Sequence, residues 1–375
     1  MNVLYMVSWY CSATDNNPSE SFHTIAALDL AKRPGVNVAL YYPYERNIDE
    51  PVVVTNEWGL KTYRSRYKLE DKVRNRVNMY KAMKQIVKEF APDIIHAHVA
   101  TEAGRFAVML GKIFHIPVII TEHSSADLSG VRSFPHHQYA YMSYGGSKYN
   151  ACVSDKLTDD LRKIFPRYSF ETIYNGIRPV TVEKPNTDIR VIDKINMCMV
   201  AGMYDRNIKG IPVLLSALSL LKKDGIQFVC HFIGDGDYRE EFERLAKELE
   251  LEDVTIFHGR KSQKEVYESV SAMDFLISAS RYESFGCTMA EAAMVGTPIL
   301  ATDSGGSASI VNDINGILLQ EYDANAIYNG IKKMIGRIGT FDNEAIKADA
   351  LRRFAVNEIT DKYMSVYERV LNEKN

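Results

Sequence analysis

Short apolar runs rich in β-branched and aromatic residues recur along this chain, separated by longer stretches in which apolar residues return every three or four positions. That alternation predicts parallel strands covered by helices. In the first half the strand runs are residues 3–7, 36–42, 52–55, 93–97, 117–121, 150–153 and 171–174. Residues 175–196, NGIRPVTVEKPNTDIRVIDKIN, are polar, hold two prolines and follow neither period, which predicts an interdomain linker. The alternation restarts with strands at 196–201, 227–233, 253–257, 274–278, 298–302 and 316–319, and helices at 211–222, 238–249, 264–272 and 285–295. Residues 357–371 carry Ile359, Tyr363, Val366, Tyr367 and Val370 on one face and read as a closing helix. The expected fold is α/β: two Rossmann-like, doubly wound domains, residues 1–178 and 179–355. Sheets of this kind bind ligands beyond the carboxyl ends of their strands.

Composition narrows the class. With 46% hydrophobic and 25% charged residues among 375, the chain has the make-up of a folded globular protein, not of a disordered or collagenous one. The longest uncharged apolar stretch, residues 292–302, contains Gly296 and Pro298 and is too short to span a membrane. The first residues lack the basic region of an export signal, so a cytoplasmic protein is expected, with peripheral contact at the inner face of the membrane as a further expectation. Cys11, Cys152, Cys198, Cys230 and Cys287 are far apart and odd in number, which predicts core packing, not disulfides or zinc.

The net charge of −3 hides a split. Residues 1–178 hold 22 basic and 18 acidic side chains, whereas residues 179–375 hold 23 and 30. The surplus lies in residues 61–88, with ten basic and two acidic residues, read as partly helical with Val73, Val77, Tyr80, Met83 or Lys84, and Val87 along one side. Such a run is either a solvated helix face or a contact for an anionic membrane or lipid-phosphate acceptor. No nucleic-acid-binding module accompanies it, so no nucleic-acid partner is expected.

Chemistry concentrates at the predicted strand ends: His96 and His98 in DIIHAH, Glu122 and His123 in PVIITEHSS, the turn from Gly202 to Gly210, and RYESFGCTMAEAAMVGTPILATDSGG. Backbone N–H groups at Ser284, Phe285 and Gly286 would open a helix and suit phosphate or sugar oxygens. Glu283 and Glu291, eight residues apart, can accept hydrogen bonds from vicinal hydroxyls, although either alone reads as an ordinary helix residue. Of His96 and His98, at most one is expected to point into any given crevice. The string GDGDYR lacks the third glycine of a dinucleotide fingerprint, and its Asp235 and Asp237 read as an α/β turn in which Asp237 begins a helix, not as a metal site.

The whole string, E-S-F-G, a second glutamate eight residues after the first, G-T-P-I-L-A-T and then G-G, resembles the C-terminal signature of retaining glycosyltransferases of family 4, with DIIHAH, PVIITEHSS, NACVS, IYNGI and MVAGMYDRNIKG matching elsewhere. The resemblance implies a GT-B fold, a closing helix from about residue 356 that returns to the first domain, and transfer from a nucleotide-diphosphate sugar to a glycan or lipid-linked acceptor with no cofactor and no metal. It places Lys209 on the donor diphosphate, Glu283 on the donor sugar and His123 beside it as the catalytic set, with Glu291, Ser284, Phe285, Gly286, Gly202 and Gly234 holding the donor. The first loop resembles the family's N-P-x-x-G-x-F loop through Asn17, Pro18 and Phe22, with Glu20 in place of glycine, and is expected with His98 on the acceptor side. Met203 stands where the family has an arginine; Arg206, close in sequence, either supplies that donor-binding charge or faces solvent. These departures leave a second reading, a non-catalytic glycosyltransferase-like protein that binds nucleotide or glycan.

Overall fold

The computed structural model describes residues 1–9, 21–124 and 131–373. The chain divides into two compact units, Met1–Gly176 with Val356–Asn375, and Ile177–Ala355. In the first, strands β1 (Asn2–Met6), β2 (Asn37–Glu45), β3 (Val52–Glu57), β4 (Leu60–Arg66), β5 (Ile94–His98), β6 (Val118–Glu122), β7 (Tyr149–Cys152) and β8 (Glu171–Thr172) form one sheet. Its order is β3-β4-β2-β1-β5-β6-β7-β8, parallel except where β3 runs against β4. Helices α1 (Phe22–Leu30), α2 (Lys72–Glu89), α3 (Arg105–Phe114), α4 (His136–Gly146) and α5 (Asp155–Ile164) belong to the same unit.

The second unit has β9 (Ile195–Val200), β10 (Phe228–Ile233), β11 (Thr255–Gly259), β12 (Phe275–Ser278), β13 (Ile299–Thr302) and β14 (Gly316–Leu319), all parallel, in the order β11-β10-β9-β12-β13-β14. Helices α6 (Ile211–Lys223), α7 (Arg239–Glu248), α8 (Gln263–Val270), α9 (Cys287–Met294), α10 (Ala324–Ile335) and α11 (Asn343–Phe354) cover it. The final helix, α12 (Val356–Asn372), joins the first unit, where Ile359, Tyr363, Val366, Tyr367 and Val370 pack into the core formed by β1, α1 and β2. That face is the one spaced for burial in the sequence.

Several elements differ from the sequence reading. Residues 61–66, the start of the basic run expected to be partly helical, belong to β4: Tyr63 and Ser65 are buried on one face, and on the other Arg64 pairs with Glu45 and Glu57. In α2 the face against the sheet is Asn75, Asn78, Met79, Ala82, Met83 and Ile86, while Val73, Val77 and Tyr80 are exposed. The asparagines turn inward because they tie down the preceding loop: Asn75 bonds both the N–H and the carbonyl of Lys68, and Asn78 donates to the Arg66 carbonyl. Asp237 does not cap α7; Tyr238 occupies that position, and Asp235 instead accepts the Gly236 N–H. Helix α9 starts at Cys287, two residues later than expected from position 285. Gly286 takes the left-handed conformation (φ 101°) that glycine enters without strain, so the helical hydrogen bonds begin beyond it.

Candidate functional site

In the second unit, two strand-end turns are joined at the carboxyl edge of the sheet. The chain leaves β9 through residues 201–210 and β12 through residues 279–286, and the Arg281 N–H donates to the Ile208 carbonyl (2.8 Å) across them. Lys209 Nζ lies 2.6 Å from Glu283 Oε1, which also accepts from Ser280 Oγ at 2.8 Å. The Glu283 backbone is fixed on both sides, donating to the Ser304 carbonyl and accepting from the Gly306 N–H, each at 2.9 Å. The Lys209 side chain is 31% exposed and that of Glu283 15%. A partly open pair of this kind is worth about 1 kcal/mol or less, small enough for an arriving phosphate to take over the ammonium. Beside it, among the described residues, the backbone N–H groups of Ser284 and Gly286 have no protein partner, and they precede the positive end of α9.

Glu291 sits one turn into α9, between Gln263 and Tyr267 of α8. Burial pushes its carboxyl up to about 7, against the hydrogen bonds from Gln263 and Tyr267, which pull it down. Gly234, at the end of β10, approaches the β9 turn so closely that a Cβ would lie 1.9 Å from the Ala201 carbonyl oxygen. Gly202 opens that turn, and a Cβ there would meet the Tyr204 ring at 3.1 Å. Phe285 is buried beside Phe354.

The missing arginine receives a structural answer. Met203 is 1% exposed and belongs to the apolar core of the second unit, so its side chain contributes nothing to a charged surface. Arg206 does not take its place at the Lys209 pair; its Nε lies 2.5 Å from Glu241 of α7, on the surface.

The first unit assembles a different edge. His98 Nδ1 and His123 Nε2 lie 2.8 Å apart with their rings stacked, and Phe22 also stacks on His123 at 4.3 Å. His96 is held between Thr121 Oγ1 and the Tyr367 hydroxyl of α12, each 2.7 Å away. His96 and His98 stack on one another at 4.5 Å, contrary to the expectation that at most one would face any crevice. Residues two apart on a strand share a face. Burial holds His23 and His96 down to about 3, and holds His98 and His123 well below the ordinary imidazole range, with neighbouring histidines adding to the effect. All four are therefore neutral imidazoles at pH 7. Glu122 organises the adjoining loop: it accepts from the N–H groups of Ala100, His123 and Ser124 and from the Tyr144 hydroxyl, while burial raises its carboxyl. Asn17 and Glu20 lie outside the described residues.

Sequence reasoning missed Gln263, Tyr267 and Ser280, the neighbours that orient the two glutamates. The first two were findable, as residues four apart on α8 face the same way. Among the described residues no group of three or more His, Cys, Asp or Glu side chains is arranged to hold a metal ion, and no helix is long and apolar enough to cross a membrane. Cys152, Cys198 and Cys230 are buried free thiols.

Two family models match the chain, one described as Glycosyl transferases group 1 over residues 189–337 and one as Glycosyltransferase Family 4 over residues 24–180. An uncharacterized glycosyltransferase of Methanocaldococcus jannaschii is 27% identical over 300 residues, covering 80% of this chain and 79% of that one. The alpha-monoglucosyldiacylglycerol synthase of Streptococcus pneumoniae is 25% identical over 254 residues, 61% of this chain and 56% of that one. Among solved structures, Anabaena HepE in complex with UDP-glucose matches with a TM-score of 0.76 at 18% identity, over 98% of this chain and 100% of that one, a likeness of fold. The fold is GT-B.

Proposed function

The chain belongs to the glycosyltransferases of group 1 and family 4, and from that premise we propose that it is a metal-independent, retaining enzyme that moves a sugar from a nucleotide-diphosphate sugar to a glycan or lipid-linked acceptor in cell-surface polysaccharide or glycolipid synthesis. The donor belongs to the second unit and the acceptor to the first. The observation that carries this reading is the weak Lys209–Glu283 pair beside the open amides of Ser284 and Gly286, a cation and two donors able to take a diphosphate. Anabaena HepE was determined with UDP-glucose and the Streptococcus relative is named for a glucolipid, which supports the same donor and acceptor classes.

In this reading the bond between the anomeric carbon and the diphosphate oxygen breaks, and its electron pair leaves with the diphosphate. The acceptor oxygen bonds to the same face of the sugar while its proton passes to the leaving diphosphate. Lys209 and the two amides stabilise the departing charge, and Glu283, once released from Lys209, accepts hydrogen bonds from sugar hydroxyls. Glu291 accepts from the ribose hydroxyls in its ionised form. Neutral His123 offers a polar edge to the donor sugar, and His98, on the acceptor side, fixes its ring. Contact of residues 61–88 with an anionic membrane belongs to the same reading.

The test is turnover of UDP-glucose and its congeners, read as nucleotide release together with the anomeric configuration of the sugar product by proton NMR. Lys209→Ala and Glu291→Gln should each lower the rate by about a hundredfold or more with an unchanged circular dichroism spectrum. A near-normal rate in either variant removes that residue from the site, and an inverted product contradicts retention.

A further inference from the structure

Helices α2, α3 and α4 of the first unit enclose a groove of about 980 Å³ lined by none of the residues assigned above to the transfer step. It is large enough for a small organic ligand. Val108, Met109 and Ile113 of α3 and Met142 of α4 give it an aliphatic wall, and Tyr141 and Tyr168, with ring centroids 5.1 Å apart, also line it. Ile113 is 50% and Met142 63% exposed, so this wall is open to solvent.

The same groove is lined by Lys72, Arg76, Arg105 and Lys112 and, among the described residues, by no carboxylate. The nearby ion pairs, Lys61 with Glu89 and Arg74 with Asp71, leave all four of these cations out. Arg105 lies against ring faces, its guanidinium carbon 4.6 Å from the centroids of both Phe106 and Tyr139, and it also faces the Glu102 carboxyl and the Tyr44 hydroxyl. Strands β4, β2, β1, β5 and β6 are parallel, so α2 and α3 both run from the carboxyl edge of the sheet to the amino edge. Lys72, Arg76 and Arg105, in the opening turns, therefore gather at the carboxyl edge, and Met109 and Ile113 lie toward the other end. Val73, Val77 and Tyr80 are exposed on α2 outside the groove.

We propose that this groove binds an anionic lipid, its chain along the α3–α4 wall and its phosphate against Arg105, Lys72 and Arg76. A free anion would have no use for the aliphatic wall, a neutral apolar ligand none for four cations outside any salt bridge among the described residues, and an acidic peptide would leave its backbone groups unsatisfied against methyl and methylene surface. The phosphate end is the edge on which His98 and His123 lie, so the lipid carries the acceptor; that clause alone rests on the transferase reading.

Isothermal titration of the full chain with dodecyl phosphate, below its critical micelle concentration, tests the site. Saturable binding of one molecule is expected, with inorganic phosphate and dodecyl maltoside each weaker by about tenfold or more. Arg76→Glu and Met142→Glu, both at exposed positions, should each weaken dodecyl phosphate by a similar factor without lowering the unfolding temperature. Equal affinity for inorganic phosphate would make this a free-anion site and equal affinity for dodecyl maltoside a neutral one; either overturns the proposal, as do unaffected variants or an absence of saturation. UDP-induced stabilisation of the same samples keeps the readings apart: lipid binding without a UDP response counts against the transferase reading alone, and a UDP response without lipid binding counts against the groove alone.

Discussion

The carboxyl edges of the two sheets solve the problem of placing polar groups in opposite ways. In the first unit, His96, His98 and His123 are buried, neutral and joined to Thr121, Tyr367 and one another, so the edge is closed by side chains from strands and a helix far apart in sequence. In the second, Lys209 and Glu283 stay partly exposed on turns whose backbones are locked together, and the nearby amides of Ser284 and Gly286 remain open. The first edge is held by packing and the second by backbone geometry. A charged ligand can enter the second by displacing one weak ion pair, whereas charge placed among the histidines of the first would have to be buried.

The largest effect expected from this contrast is on stability. Gly234→Ala places a Cβ 1.9 Å from the Ala201 carbonyl oxygen at φ 136°, so the second unit should lose about 3 kcal/mol. His96→Leu, which leaves the buried hydroxyls of Thr121 and Tyr367 short of a partner, should cost the first unit about 2 kcal/mol. Urea unfolding followed by hydrogen exchange in β5 and β12 separates the two; equal losses in both units from either variant would break the comparison.

Met203→Arg sharpens it further. Because Met203 lies in the core, the arginine must bury its charge or distort the β9 turn, and a destabilisation of about 2 kcal/mol with no gain in donor affinity is expected. Tighter nucleotide binding by the variant would show that the turn can present this side chain to a ligand.

The smallest effect is the pH response, and its sign differs between the buried histidines and Glu291. His23 and His96 titrate at about 3 when folded against an ordinary 6.5, so their contribution is full above about 6.5 and is lost as the pH falls toward 3. Glu291 titrates at about 7 against an ordinary 4.5, so its contribution is full below 4.5 and is lost as the pH rises through 7. His231 of the second unit, held down to about 4 by burial, acts in the same sense as His23 and His96, so between pH 5 and 7 Glu291→Gln should make the second unit gain stability with rising pH more steeply than the wild-type chain, as read by hydrogen exchange. Donor hydroxyls favour ionised Glu291, so nucleotide affinity should increase from pH 6 to pH 8.

The same contrast explains what could be read from the sequence. Turns such as 201–210 and 279–286 carry their chemistry in contiguous strings, so Lys209, Glu283 and Glu291 were legible as candidates, as was the alternation of strands and helices. The first unit was less so. Strand β4 carries alternating Lys, Arg, Tyr and Ser, whose charges are matched by Glu45, Glu57 and Glu89 from elsewhere, and nothing local shows that pairing. Helix α2 buries asparagines whose partners are backbone groups of the preceding loop, which turns the buried face away from Val73, Val77 and Tyr80 while keeping Met83 inside. The link from His96 to Tyr367 spans 271 residues and exists only once α12 has returned to the first sheet.

Nucleotide binding by the second unit is what an enzyme of this kind requires first. Thermal unfolding of the purified chain would be recorded with UDP, GDP, ADP, CMP and dTDP in parallel, with Glu291→Gln as the control, since a ligand that binds only the folded chain must raise its stability. One nucleotide raising the unfolding temperature, with the response lost in the control, is the predicted result. If none responds at millimolar concentration, the second unit holds no donor site and the non-catalytic reading replaces the enzymatic one.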